Sequence, residues 1–255
     1  MTVVVVTGAA AGIGEAVARR LSADGWDLVA VDRDEAGLGR LADGATRVRT
    51  VVGDVRERAT HQAARAAAAE LGELTAWVSV AGITVTHDLA DLDEGSVRTV
   101  VDVNQLGTLW GAAEAVAAFM AAGTAGTVVS ISSVHAHRAA EHYPVYEMTK
   151  AAVEALTRSI AVSYGRHGIR AVAIAPGAIW TPALRESLGS AADPAANTGR
   201  LERASALHRI GDAAEVAAAV AFALSPDAAY VTGSVIRVDG GWTAALLTDP
   251  DETVR

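Results

Sequence analysis

Lys150 is the only lysine among the 21 basic residues of this chain, and it stands four positions after Tyr146 in "YEMTK". Residues four apart on a helix share a face, so the phenol and the amine would point the same way. A free tyrosine has a pKa of about 10, too high for efficient acid–base work at neutral pH. A cation about 4 Å away, at an effective dielectric of about 20, is worth about 4 kcal/mol. That equals roughly three pKa units and would bring the phenol near 7. Ala151, Ala152, Val153 and Ala155 surround the pair. The helix is therefore expected to be largely buried, where a lysine without a task is costly. Tyr143 competes for the role, but Glu147 follows it by four residues and would push its pKa the wrong way.

A second chemistry-bearing stretch is "TGAAAGIG", residues 7–14. Gly8, Gly12 and Gly14 follow G-x-x-x-G-x-G, with Ile13 between the last two. The glycines let the backbone approach a pyrophosphate, and a helix starting here would offer its amides and positive dipole end. The plainer alternative is an ordinary glycine-rich strand-to-helix turn. Asp32 lies 18 residues after Gly14, near the spacing at which a carboxylate accepts hydrogen bonds from an adenosine ribose. It would repel a 2′-phosphate, which favours NAD over NADP. The neighbouring Arg33 would accommodate that phosphate, so NADP stays open. A solvated strand-end charge is the other reading of Asp32. In "GDV", residues 53–55, Asp54 and Val55 stand where an adenine ring would lie.

The elements that must position these residues are written in hydropathy. Apolar β-branched runs (3–7, 27–32, 47–54, 75–82, 126–133, 169–177 and 234–241) alternate with Ala-rich helical stretches. This pattern predicts an α/β fold with a doubly wound parallel sheet of about seven strands and helices on both faces. The 255 residues suit one domain spanning 1–255. The least regular part, about 181–211, is rich in Ala, Ser, Gly and Pro. It falls where a loop would close over a ligand at the carboxyl ends of the strands.

Bulk properties exclude several classes. The chain has no cysteine, which removes disulfides, thiolate catalysis and cysteine-based metal sites. A net charge of −9 without a basic patch argues against nucleic acid as a partner. No apolar run approaches the length of a membrane span, and no basic leader precedes "TVVVVTG", so a cytoplasmic location is expected.

Taken together, the motifs resemble those of the classical short-chain dehydrogenase/reductase family over nearly the whole chain. "TGAAAGIG" is similar to its cofactor turn and "YEMTK" to its Y-x-x-x-K. "ISS" (131–133) matches its catalytic serine stretch, with Ser133 thirteen residues before Tyr146. "VNQLG" supplies Asn104, "APGAIWTP" (175–182) resembles the segment that holds the nicotinamide, and "VDGG" (238–241) resembles the ending of its last strand. The resemblance implies a hydride exchanged between a nicotinamide and a secondary alcohol or ketone. Tyr146 would move the proton at the substrate oxygen, Ser133 would hydrogen-bond that oxygen, and Lys150 would lower the phenol pKa and bind ribose. Asn104 would hold a water linking Lys150 to solvent. Pro176, Gly177, the Ile179 backbone and Thr181 would fix the carboxamide. One motif departs: where the family has N-N-A-G, this chain has "SVAG" (79–82). Backbone contacts to cofactor at Val80, Ala81 and Gly82 would survive, but the bracing side-chain bonds of an asparagine at Val80 would not.

Three of the seven histidines, His135, His137 and His142, fall between Ser133 and Tyr146. Solvated loop residues are one reading. Substrate contact by His135 or His142 is another, with Trp180 completing the pocket. A zinc reading of H-x-H finds no use in the proposed chemistry, so no metal is expected. "SSVH" resembles sugar and polyol dehydrogenases within the family, which hints at a hydroxylated substrate. Two alternatives stand beside this reading. An NADPH-dependent 3-oxoacyl or polyketide-type ketoreductase is disfavoured by Asp32 and by Ala11, where a basic residue would help hold a 2′-phosphate. A non-catalytic dinucleotide-binding sensor is disfavoured by the complete set of Asn104, Ser133, Tyr146 and Lys150. Residues 107–122 are apolar nearly all round, with Glu114 their only charge. Such a helix is buried on more than one side, and the resemblance implies a homotetramer built on it and on the Tyr146 helix.

Overall fold

The computed structural model describes residues 2–245. The strands are β1 (Thr2–Thr7), β2 (Asp27–Asp32), β3 (Val48–Val52), β4 (Glu73–Ser79), β5 (Gly126–Ile131), β6 (Ile169–Pro176), the short β7 (Ile179–Trp180) and β8 (Gly211–Asp212), and β9 (Ser234–Val238). The helices are α1 (Gly12–Ala23), α2 (Glu35–Ala42), α3 (Arg58–Leu71), α4 (Glu94–Val101), α5 (Gly107–Ala122), α6 (Pro144–Tyr164), α7 (Pro182–Gly189), α8 (Pro194–Ala204) and α9 (Ala213–Leu224). Seven strands form one sheet in the order β3-β2-β1-β4-β5-β6-β9, all pairs parallel. This is the doubly wound architecture that the alternation of apolar runs implied.

Burial on both faces explains why β1 reads as four consecutive valines. Val4 and Val6 face a core shared with Val17 and Leu21 of α1, Leu38 of α2 and Val216 and Val220 of α9. Val3 and Val5 face a second core with Ala64 of α3, Phe119 of α5 and Ile160 of α6. Opposite-pointing side chains on a two-sided strand leave no polar position. The strand order reverses between β1 and β4. In such a sheet this is the point where a ligand crevice is expected at the carboxyl ends, which here are Thr7 and Ser79.

The 181–211 stretch is more regular than its composition suggested. It folds mainly as α7 and α8, joined by a short turn and ended by β8. Thr181 caps α7 by accepting from the Leu184 amide at 3.1 Å, and Asp193 caps α8 by accepting from Ala196 at 2.9 Å. Each cap is followed by proline at the first helical position, where its fixed φ and missing N–H cost nothing. "TP" and "DP" were the start signals, hidden among the Ala, Gly and Ser that drove the irregular reading.

On α5, Glu114 turns inward and is buried. Arg58 and Arg65 of α3 reach it at 3.3 and 3.1 Å. Leu109 and Met120 of α5, and Met148 and Val162 of α6, stay exposed.

Candidate active site

Tyr146 and Lys150 lie on α6 and Ser133 follows β5, so the sheet and one long helix set their separation. Lys150 is buried. Its ammonium donates to the Ile131 carbonyl at 2.8 Å and lies 5.6 Å from the Tyr146 ring centre. Burial pushes its pKa down to about 8, because removing an ammonium from water disfavours the charged form. The side chains of Ser133 and Thr84 neighbour the half-buried Tyr146 phenol and draw its pKa down. Burial acts more strongly, and the net shift is upward. This corrects the expectation of a phenol near neutrality. The Coulomb argument assumed a full cation at the phenol oxygen, whereas the ammonium is bound to Ile131 and the desolvation of the phenol outweighs other effects. A phenol that keeps its proton at neutral pH is suited to donate one.

Asn104 is fully buried, in one turn of π-helix (Asp102–Leu106) that joins α4 to α5. Its side chain accepts from the Ile83 amide at 2.8 Å and donates to the Ile83 carbonyl at 2.9 Å. It also donates to Thr149 Oγ1 at 3.3 Å. Asn104 thus ties the loop after β4 to α6 beside Lys150, and both side chains flank Gly82.

The phosphate turn fits a pyrophosphate. α1 begins at Ala11 with no side-chain cap on its amides, and such a bare N-terminus of a 12-residue helix attracts an anion. A Cβ on Gly14 would lie 1.8 Å from the Gly8 carbonyl oxygen. Gly8 itself has φ of 71° and would crowd the Ala81 amide at 2.7 Å, so both positions require glycine. Gly12 faces Thr181, whose Cβ would be 3.3 Å from an added methyl. The nicotinamide segment and the phosphate turn therefore meet. Ile13 is partly buried against the adjacent core. The Gly177 amide donates to Val238 at 3.0 Å, which anchors the turn after Pro176, and Ile179 pairs with Gly211. A nicotinamide dinucleotide would lie along these groups, its diphosphate at the α1 N-terminus.

In the "SVAG" stretch the backbone is tied to β1, while no side-chain bond stands at Val80. Thr7 Oγ1 accepts from the Val80 and Ala81 amides at 3.2 and 3.4 Å. Ser79 Oγ and Trp77 Nε1 are buried without a partner, both close to Gly111.

At the ends of β2 and β3, Asp54 serves its own turn, whereas Asp32 also ties its turn to the glycine-rich turn. Asp32 accepts from the Ala10 and Asp34 amides, each at 3.0 Å. Asp54 accepts from Arg56 Nε and Nη2 at 2.9 and 2.6 Å, and this guanidinium lowers its pKa. Arg33 is exposed. The Val55 carbonyl is taken by His61 Nε2 at 2.8 Å.

His135 lies among rings. It is 5.2 Å from Tyr143, 5.7 Å from Tyr146 and 6.5 Å from Trp242, centre to centre. The protein is poor in aromatics, yet it concentrates them beside the Tyr146 phenol. His142 is exposed, with φ of 67°, and its carbonyl accepts from the His87 amide at 2.7 Å. Trp180 is covered by the Arg185 guanidinium at 4.5 Å. Among the described residues no group of three His, Asp or Glu side chains is placed to hold a metal ion. Sequence reasoning missed Thr84 and Trp242 as neighbours of the site, and weighed Tyr143 only as a rival to Tyr146. Thr84 and Trp242 come from a loop and from the last described turn, where spacing carries no signal.

A family model described as enoyl-(acyl carrier protein) reductase matches residues 8–243. Levodione reductase of Leifsonia aquatica is 37% identical, over 95% of this chain and 94% of its own. The chain belongs to the classical short-chain dehydrogenase/reductase family. Galactitol 2-dehydrogenase (L-tagatose-forming) of Cereibacter sphaeroides, another relative, is 35% identical over 93% of both chains. The crystal structure of an actinorhodin polyketide ketoreductase with NADPH superposes with a TM-score of 0.89 at 28% identity, covering 96% of this chain and 98% of that one. As a short-chain dehydrogenase/reductase, the chain is a nicotinamide-dependent oxidoreductase that exchanges a hydride with a secondary alcohol or ketone. No helix among the described residues is long and apolar enough to cross a membrane.

Proposed function

We propose that this protein prefers NAD(H) and interconverts a hydroxylated or cyclic secondary alcohol with its ketone, using Asn104, Ser133, Tyr146 and Lys150. The observation that carries the reading is the Tyr146 phenol, set beside Ser133 and Thr84 with the Lys150 ammonium 5.6 Å from its ring centre. When bound, the nicotinamide would supply or take the hydride. Ser133 orients the substrate oxygen, and Tyr146 gives it a proton during reduction or takes one during oxidation. Lys150 places positive charge beneath the phenol and offers its donors to ribose hydroxyls. Asp32 opposes a 2′-phosphate at the β2 end, which favours NAD(H). The relatives named for activity on levodione and galactitol span a ring and an open polyol. The rings around His135 suit either, since a flat apolar face stacks against both. We further propose a cytoplasmic homotetramer held by the exposed residues of α5 and α6, with α7 and α8 as the lid over substrate.

The NADPH-dependent ketoreductase reading keeps one supporting observation. Asp32 is already bonded to two amides, which leaves the exposed Arg33 free to meet a 2′-phosphate. Absorbance at 340 nm with NADH or NADPH, against cyclic ketones, ketoses and 3-oxoacyl thioesters, separates the readings. Turnover with NADH on a ring or sugar ketone supports the first. Faster turnover with NADPH on a 3-oxoacyl thioester supports the second, and no turnover on the panel rejects both.

A further inference from the structure

Glu154 stands one helical turn beyond Lys150 on α6, on the stripe that carries Tyr146. Its side chain is buried, and the chemistry above gives it no task. Both of its oxygens are engaged by one loop. Ser132 Oγ donates to Oε1 at 2.8 Å, and His137 Nε2 lies 2.9 Å from Oε2. Ser132 Oγ also lies 3.3 Å from the Lys150 carbonyl. Between the two clamped residues come Ser133, whose side chain neighbours the Tyr146 phenol, and His135, whose ring lies 5.7 Å from it. The backbone between them is a single 3₁₀ turn (Val134–Ala136) capped by Ser133 itself, accepting from the His135 amide at 3.2 Å. So short a turn has little regular hydrogen bonding of its own. Seven residues earlier on the same face, Glu147 accepts from the Ala140 amide at 2.7 Å and lies 3.5 Å from His135 Nδ1. Two glutamates of the helix that bears Tyr146 and Lys150 therefore hold the loop that bears Ser133.

We infer that Glu154 is a positioning residue for proton transfer, fixing Ser133 against Tyr146 by clamping Ser132 and His137 to α6. The inference rests on the proposed reaction for its kinetic consequence, but not for its structural one. A buried carboxylate takes hydrogen bonds roughly twice as strong as neutral ones, and a displacement of about 1 Å in such a site costs about 100-fold. Glu154 does not touch substrate, so its effect must pass through Ser133.

The test compares Glu154→Gln and Glu154→Leu, in wild-type and Ser133→Ala backgrounds. Backbone hydrogen exchange of residues 132–138 is measured alongside steady-state reduction. Glu154→Leu is expected to speed exchange in this loop by at least about 10-fold and to lower kcat by about 30-fold or more, with the Kd for NADH within about twofold. Glu154→Gln keeps an acceptor for Ser132 and should hold both quantities within about threefold of wild type. In the Ser133→Ala background, Glu154→Leu should cost almost nothing more, because the residue through which it acts is gone. An equal loss in both backgrounds would mean a merely structural role and would overturn the inference. So would unchanged exchange of the loop in Glu154→Leu, whatever the kinetics. Wild-type protein inactive on every carbonyl of the panel rejects the proposed reaction instead, and the exchange measurement still decides the clamp.

Discussion

The two sides of the ligand crevice are held by different kinds of bond. On the β5–α6 side, polar groups are tied to partners far along the chain. Asn104 bonds Ile83 and Thr149, Lys150 bonds Ile131, and Ser132 bonds Glu154. On the β1–β3 side, most acidic groups serve their own turns. Asp34 caps α2 through Gly37, Asp54 holds Arg56, and Asp32 bonds Asp34; the exception is the second bond of Asp32, to Ala10, 22 residues away. Long-range bonds among buried groups fix a geometry that chemistry can use, since buried networks are costly to break. Local bonds among exposed groups exchange cheaply for a ligand's hydroxyls. Substitutions on the first side should therefore be severe in turnover, and on the second side mild and confined to cofactor preference or stability.

The largest effect expected is that of Tyr146→Phe. It removes the proton donor and keeps the ring, so NADH should still bind while turnover falls by about 1,000-fold or more. A tenfold effect or less, measured at 340 nm, would place the proton donor elsewhere and dissolve the contrast between the two sides. Next is Lys150→Arg, with a loss of about 100-fold. A guanidinium is a wide planar fork that cannot replace a compact ammonium between Ile131 and the phenol ring. Retention of half the turnover would show that only charge matters there.

Lys150 also separates function from stability. Its pKa falls from 10.5 free to about 8 in the fold, a difference that corresponds to about 3 kcal/mol against folding at neutral pH. The unfolded chain binds the extra proton between about pH 8 and 10.5, so the penalty is full below pH 8 and fades as pH rises through that window. Lys150→Met should therefore melt several degrees higher at pH 7, about 1–3 kcal/mol once the lost bond to Ile131 is counted, while turnover disappears. In the wild type, the part of turnover that needs the ammonium should decline above about pH 8. A flat profile to pH 10 would show that the charge is dispensable.

The same divide shows what a sequence reader sees. Strands were legible because parallel burial forces continuous apolar runs, and β2 appears as read, at Asp27–Asp32. The Tyr146–Lys150 pair was legible because helical spacing puts both on one face. Glu154 extends that stripe, yet its meaning depends on a loop 22 residues earlier in sequence, and no local pattern announces that contact. Thr84 lies 62 positions before the phenol whose pKa it lowers. The phenol pKa was misjudged because a spacing argument carries a Coulomb term but not the burial that opposes it. α7 and α8 were missed because their caps were outvoted by composition.

A smaller effect belongs to Asp32→Ala. If the β2 end discriminates by repelling a 2′-phosphate, the ratio of kcat/KM for NADH over NADPH should shrink by about tenfold, the size expected of an exposed charge. Because Asp32 already serves two amides, the change should also loosen the phosphate turn and raise KM for both cofactors by a few-fold. An unchanged ratio would assign cofactor choice to Arg33. Wild-type protein that works as well with NADPH as with NADH would already refute the repulsion.

The smallest effect tests whether stability on the adenosine side follows a buried histidine. His61 on α3 is fully buried, and Nε2 must carry its proton to donate to the Val55 carbonyl. Nδ1 has no partner, so a second proton there would be an uncompensated buried charge. Burial accordingly lowers the His61 pKa below 6.5. The unfolded chain takes up the proton first, so this contribution is complete above about pH 6.5 and is lost as pH falls, by at most about 1.4 kcal/mol per unit. Asp54, Asp239 and Glu215 also have lowered pKa values. Their losses begin only below their ordinary values of 3.8, 3.8 and 4.5, which leaves the interval from about pH 6.5 to 5 to histidine. His61→Gln keeps a donor in reach of Val55 but cannot take a second proton. Thermal melts of both proteins at pH 7.5, 6.5, 5.5 and 5.0 should show wild type losing stability faster than the variant below pH 6.5. Parallel curves would mean that His61 accepts its second proton within the fold. Either way kcat at pH 7.5 should stay within about twofold, because the Val55 carbonyl lies at the β3 end, on the side proposed for adenosine and away from the proposed proton transfer.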